Sequence, residues 1–220
     1  MNERFAFDLA LAGRATVAGA DEAGRGCLAG PLVAAAVCFD YAALDDADLA
    51  ALDRLDDSKK VPKARRAALY HEVLLRARQV VIVCRSPGAI DRDGLHHCNL
   101  AALARAVEGI VPEPGVTLVD GFALPGCRRA HRAIVGGDGR SAAIAAASVV
   151  AKVTRDRLMG RLHLSHPQYG FDRHVGYATA AHHEAIAAHG VCELHRLSFA
   201  SVAYRQLGLT FAREEPAPRG

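Results

Sequence analysis

The chain has 220 residues, 51% hydrophobic and 23% charged, enough apolar material for a sizeable core and too mixed for a disordered, collagen-like or coiled-coil protein. Lys and Arg number 27 against 24 Asp and Glu, a net charge of +3, which permits an anionic partner without requiring one. No apolar run approaches the roughly 20 residues of a membrane span, and Met1-Asn2-Glu3-Arg4-Phe5 lacks the basic start and apolar core of a secretory signal, so a soluble, cytoplasmic protein is expected.

The first strand is expected over Thr16-Val17-Ala18-Gly19-Ala20, ended by Asp21-Glu22 and the glycine-rich turn Gly24-Arg25-Gly26. Pro31 to Phe39 reads as a second, buried strand, and Asp40 to Asp57 as a polar, acidic connection. Pro62 suits the first turn of a helix over about Lys63 to Ala77, with Leu69, Val73 and Leu74 as its apolar stripe. A short strand follows at Gln79 to Cys84, then a break at Ser86-Pro87-Gly88 and a helix from Leu95 to Ile110, stopped before Pro112. Val116 to Val119 is a strand ending at Asp120-Gly121, and Ala133-Ile134-Val135 is another, closed by Gly136-Gly137-Asp138-Gly139. The longest helical pattern runs from Ala142 to about Leu162, with Lys152, Arg155, Arg157 and Arg161 on its polar side. Arg213 to Gly220 reads as a polar tail.

Early strands followed by alternating helix and strand predict an α/β domain with a mixed sheet. The expected division is a core over 1–165 and a smaller helical extension over 166–220.

The six cysteines form no Cys-x-x-Cys pair, so reduced thiols are expected rather than a zinc ribbon or redox motif. His183-Glu184 begins a zincin-like run, but the second histidine would fall at Ala187.

Three turns share one design, an apolar strand running into an acidic residue flanked by glycine: Asp21-Glu22-Ala23-Gly24, Asp120-Gly121 and Gly137-Asp138-Gly139. Asp-Gly is a common turn pair, yet carboxylates at the ends of adjacent strands converge on one crevice in open α/β sheets. So close together they repel unless hard cations join them, and Mg²⁺ completes such an oxygen site with water and phosphate oxygens. Successive strand residues face opposite sides, so Asp21 is expected as the inner ligand and Glu22 at the rim, the strand having ended there. Gly24-Arg25-Gly26-Cys27-Leu28-Ala29 also fits a relaxed dinucleotide fingerprint, making a nucleotide-cofactor oxidoreductase the alternative. That fingerprint must open a helix, whereas a strand follows here, and Asp21-Glu22 would oppose a pyrophosphate.

Taken in order, Ala20 to Gly26, Ala29-Gly30-Pro31, Asp57-Ser58-Lys59-Lys60, Leu118-Val119-Asp120-Gly121, Gly137-Asp138 and Ala145 to Lys152 resemble the ribonuclease HII (type 2 ribonuclease H) family. His174 to Thr179 and His195 to Phe199 extend the resemblance over essentially Val17 to Val202. It implies a ribonuclease H-like mixed sheet flanked by helices, and Asp21, Glu22, Asp120 and Asp138 as catalytic residues and ligands of Mn²⁺ or Mg²⁺. The implied activity is endonucleolytic cleavage of RNA paired to DNA, including single ribonucleotides embedded in duplex DNA, by a monomer with no membrane partner. Two-metal hydrolysis at such a site leaves a 5′-phosphate and a 3′-hydroxyl.

The resemblance further implies that backbone groups of Gly24, Arg25 and Gly26 contact the ribose 2′-hydroxyl, the feature that distinguishes RNA from DNA. Tyr177 would pack on the sugar at the junction, and Lys59 and Lys152, with Arg155 and Arg157, would hold backbone phosphates. Asp156 is expected in a surface ion pair. The chain departs from the family pattern at Arg140 and Val175, where lysines are usual; Val175 removes one possible phosphate contact.

Overall fold

The structure, a computed structural model, describes residues 2–53, 55, 63–199 and 201–208. Its elements are α1 (Glu3–Ala12), β1 (Thr16–Ala23), β2 (Leu32–Asp40), α2 (Asp46–Leu52), α3 (Lys63–Arg76), β3 (Gln79–Arg85), α4 (Pro87–Asp93), α5 (Leu95–Glu108), β4 (Val116–Asp120), β5 (Arg132–Ile134), α6 (Ala142–Ser165), α7 (Phe171–His174), α8 (Ala180–His189) and α9 (Val202–Gln206). The sheet order is β3-β2-β1-β4-β5, with β1–β2 and β2–β3 antiparallel and β1–β4 and β4–β5 parallel. This is the expected α/β architecture with a mixed sheet.

Side chains alternate across the pleat and so divide the core in two. Val17, Val33, Ala35, Val37 and Leu118 pack toward α6 and Phe5 of α1, while Ala18, Ala20, Ala34, Ala36 and Val119 face Ala102, Leu103 and Ala106 of α5. The α6 helix comes close because Gly19 has no side chain: a Cβ there would lie 2.1 Å from the Ala143 carbonyl carbon. Ser141 caps α6, and Asp8 of α1 accepts hydrogen bonds from the Ala143 N–H and the Tyr41 hydroxyl at the same end.

Several expectations need correction. β1 does not stop at Ala20, because Asp21, Glu22 and Ala23 continue the ladder opposite Ala35, Ala34 and Val33. Ser86-Pro87-Gly88 starts α4 instead of breaking the chain, with the Ser86 hydroxyl capping Ala89 and proline at the first helical position. α1 and α2 were not anticipated; α2 lies in the stretch read as a polar connection and is closed by a capping box between Asp45 and Asp48. Leu74 lies outside the buried stripe of Leu69 and Val73, at 42% exposure. Asp57-Ser58-Lys59-Lys60, Pro62 and the tail at 213–220 lie outside the described residues.

Candidate active site

Parallel pairing of β1, β4 and β5 brings their carboxyl ends to one edge: Asp21 and Glu22 lie in the last residues of β1, Asp120 ends β4, and β5 leads to Asp138. Asp21 and Asp120 lie on the α6 side of the sheet, continuing the alternation of Val17 and Leu118. The short helical turn Gly137–Gly139 follows β5 and carries Asp138. The Gly137 N–H donates to Asp120 Oδ1 at 2.6 Å, which ties the Asp138 turn to the end of β4. A Cβ at Gly137 would sit 2.5 Å from Ile144 Cδ1, so a larger residue there would have to displace the Ile144 side chain. Arg4 Nε donates to the Asp138 carbonyl at 3.1 Å, bringing α1 to the same edge.

Asp21 is buried, and its carboxyl accepts from the Glu22 N–H at 2.7 Å and bonds the Ser148 side chain on α6. Burial, followed by the charges of Glu22 and Asp120, pushes its pKa up to about 8. Glu22 is the outer of the two, half-buried, with Arg25 Nη1 3.9 Å away. Asp21 is the more buried of the two, but the strand does not end there. β1 runs on past both, so the condition expected for the pair to face one site is not met, although the charge of Glu22 still reaches Asp21. An all-oxygen set of mutually repelling carboxylates suits a hard divalent cation, which supplies the missing positive charge.

The Gly24-Arg25-Gly26 turn leads into β2 and opens no helix, contrary to what a dinucleotide site requires. Gly24 has φ +89°, and a Cβ on it would lie 1.9 Å from Arg155 Nε. Arg25 is half-buried with its guanidinium 4.9 Å from the Phe122 ring centroid; Gly26 is exposed.

A second loop, His174 to Tyr177, docks on this turn through the Gly176 carbonyl, which accepts from the Leu28 N–H at 2.9 Å and the Ala29 N–H at 3.3 Å. A Cβ at Gly176 would meet the Ala29 oxygen at 2.3 Å. Tyr177 therefore stands beside the glycine turn, 39% exposed, with its ring over Lys152 Nζ at 5.3 Å. Its hydroxyl engages the Cys27 thiol.

The expected phosphate ligands of α6 differ in their surroundings. Lys152 is mostly buried and paired with Asp156 at 2.7 Å, so this ion pair lies beneath Tyr177 and not on the surface. Arg155 is fully buried, donating to the carbonyls of Pro31, Ala29 and Val175 at 2.9, 3.0 and 2.8 Å. Arg157 is exposed but lies over the Tyr70 ring, 4.5 Å from its centroid. Lys59 lies outside the described residues. Arg140 stacks on Phe7, and Val175 holds a left-handed φ of +44°.

The residues that hold the two loops were not anticipated. Buried Arg196 donates to the Gly30 carbonyl from Nε and Nη2 and to the Arg25 carbonyl from Nη1, and burial, with Arg155 nearby, lowers its pKa to about 10. A relay of neutral histidines reaches Tyr177. The Cys192 N–H donates to His195 Nδ1, leaving Nε2–H to donate to His182 Nε2, whose Nδ1–H donates to the Tyr177 carbonyl. Burial lowers the pKa of both His182 and His195 to about 4, consistent with this neutral arrangement. One signal was available for Arg155: with Ser148, Ala151 and Met159 it falls on one face at helical spacing, all buried.

Residues 18–202 match the family model described as Ribonuclease HII. A ribonuclease HII of Xanthobacter autotrophicus is 52% identical over 197 residues, covering 90% of this chain and 76% of that protein. The fold is similar to the crystal structure of ribonuclease H2 from Pyrococcus horikoshii, with TM-score 0.70 and 22% identity over 87% of this chain and 96% of that one. It is also similar to Bst-RNase HIII in complex with Mn²⁺, with TM-score 0.66 and 22% identity over 86% of this chain and 68% of that one.

Proposed function

The chain belongs to the ribonuclease HII family of endoribonucleases, and from that premise we propose that it cuts the RNA strand of RNA–DNA hybrids and incises 5′ to single ribonucleotides in duplex DNA. The observation that carries this reading is the convergence of Asp21, Glu22, Asp120 and the Asp138 turn at one sheet edge, beside a glycine turn on which the Tyr177 loop is docked. The four carboxylates would hold Mn²⁺ or Mg²⁺, and the buried Asp21 carboxyl, repelled by Glu22 and Asp120, fits that role. The Mn²⁺ complex of the structurally similar Bst-RNase HIII supports a divalent ion of this class. With such cations held by these carboxylates, the site would have an activated water and charge stabilisation at the leaving 3′-oxygen, which would give a 5′-phosphate and a 3′-hydroxyl.

The protein's own groups would supply recognition. Backbone groups of Gly24, Arg25 and Gly26 would read the ribose 2′-hydroxyl, because glycine lets the strand approach closely and the hydroxyl both donates and accepts. Tyr177 would lie against the sugar at the RNA-to-DNA junction. Lys152 supports that ring from below and offers its charge to the duplex only secondarily, being paired with Asp156. Lys59 remains in the proposal as a phosphate ligand. The helices after 165 complete substrate recognition in this reading, and the enzyme acts as a cytoplasmic monomer in replication-linked repair.

The test is a labelled DNA duplex with one internal ribonucleotide, incubated with Mn²⁺ or EDTA beside an all-DNA duplex and an Asp120→Asn control. Incision 5′ to the ribonucleotide, abolished by EDTA and by the substitution, is the expected result. Cleavage of long hybrids alone would remove the roles of Gly24–Gly26 and Tyr177, and no cleavage of either would overturn the activity.

A further inference from the structure

Away from the carboxylates, the end of α6 and the segment after α8 bring together His166, Cys192 and Glu193, whose ligand atoms all lie within 4.8 Å of one another. The geometry points to a second metal site here, of nitrogen, sulfur and oxygen donors, suited to Zn²⁺ and unlike the all-oxygen set at the sheet edge.

The His166 ring meets the Ser165 hydroxyl through one nitrogen and turns the other toward Glu193. The Ser165 hydroxyl donates to the Leu162 carbonyl at 3.1 Å, so toward the ring it acts as acceptor, 3.1 Å from His166 Nδ1. With Nδ1 protonated toward Ser165, the Nε2 lone pair faces Glu193 Oε1, 3.1 Å away. In that tautomer two acceptors face each other, and a cation between them relieves the repulsion. The Cys192 thiol beside them adds a third donor of the kind a metal uses.

The spacing suits a metal as well. With bonds of about 2.0 Å to nitrogen and oxygen, two donors of a tetrahedral Zn²⁺ lie about 3.3 Å apart, close to the 3.1 Å seen here. Ser165 orients the histidine as an outer partner does in such sites. Glu193 is 74% exposed and His166 18%, so an ion reaches the site from solvent and the fourth position is open to water. A metal there would pin the chain at 166 to the chain at 192–193, and the Cys192 N–H begins the histidine relay to Tyr177.

The test is titration of the EDTA-stripped, desalted full chain with Co²⁺, read by the near-ultraviolet charge-transfer band that only a thiolate–cobalt bond produces. A Zn²⁺ titration against a chromogenic chelator accompanies it. The expected result is one equivalent of cobalt showing the band, displaced by Zn²⁺, unchanged in Asp120→Asn and lost in Cys192→Ser. Because losing even an orienting partner weakens metal sites on the order of 10–100-fold, His166→Ala and Glu193→Gln should weaken Zn²⁺ binding at least tenfold. Glu193 is exposed, so that variant carries the test if Cys192→Ser fails to fold. Absence of the band, its survival in Cys192→Ser, or unchanged Zn²⁺ affinity in both His166→Ala and Glu193→Gln would overturn the proposal. None of these readouts depends on nuclease activity.

Discussion

Asp21→Asn should make the metal-free protein more stable while abolishing its activity. The carboxyl has a pKa of about 8 when folded against 3.8 as its ordinary value, with burial the main cause and the charges of Glu22 and Asp120 adding to it. A folded pKa above the unfolded one gives stability that is fully present below about pH 4 and is lost as pH rises toward 8. At pH 7 the separation from 3.8 is roughly three units, and at about 1.4 kcal/mol per unit the buried charge costs the native state at most about 4 kcal/mol. An amide removes that charge and still accepts from the Ser148 side chain or the Glu22 N–H. Recovery of half the cost, about 2 kcal/mol, would raise Tm by roughly 4–8 °C in a chain of this size. Thermal unfolding in EDTA across pH 4 to 8 measures it: the gap between variant and wild type should be near zero at pH 4 and widen with pH. Saturating Mn²⁺ should close it by stabilising wild type alone. A variant no more stable than wild type in EDTA at pH 7, or a gap that does not change with pH, would refute the argument that Asp21 is a desolvated, repelled charge awaiting a cation.

Gly19→Ala would place a Cβ 2.1 Å from the Ala143 carbonyl carbon and 2.2 Å from the Ile144 nitrogen, and should cost about 3 kcal/mol or more in urea unfolding; an unchanged midpoint would contradict the packing of α6 on β1. Val175→Asn relieves a β-branched residue at φ +44° and should stabilise by about 0.5–1 kcal/mol, measured in the same way; a destabilised variant would show that the Val175 side-chain packing outweighs the strain. His182 and His195, each lowered to about 4 by burial, bind protons more readily unfolded than folded. Stability should therefore fall as pH drops from about 6.5 to about 4, by up to roughly 3 kcal/mol per histidine, and a His182→Gln variant whose acid unfolding profile matches wild type would exclude this source. Tyr177→Ala should reduce incision at a single ribonucleotide at least roughly tenfold, about 1.4 kcal/mol in transition-state terms, and cleavage of long hybrids less; equal losses on both substrates would remove its junction role.

The central strands, α3, α5 and α6 were legible because their signal is local: apolar residues recur at period two or along a helical face, bounded by Pro, Gly and capping residues. The strand-end acids Asp21, Asp120 and Asp138 could be selected for the same reason, as each follows its own apolar run. α2 and α4 were missed where polar composition or a Ser-Pro-Gly signal outweighed short helices stabilised by caps and packing, and the apolar run of α1 ahead of the first strand was not read as an element. The extension of β1 through Ala23 depended on pairing with Ala35, Ala34 and Val33 of β2, and no property of residues 21–23 announced it.

The supports of the site were the least visible part. Arg155 reads as a surface cation from its type and is instead buried, because the carbonyls that satisfy it come from Pro31, Ala29 and Val175, separated from it by 124, 126 and 20 residues. Arg196 likewise reaches back 166 residues to Gly30 and 171 to Arg25. A buried guanidinium is tolerable only when several acceptors surround it, and the fold alone assembles them. Periodicity along the chain decides which residues turn inward; which polar groups meet there, and so whether an arginine holds a loop or a phosphate, is decided by contacts between segments that sequence order keeps far apart.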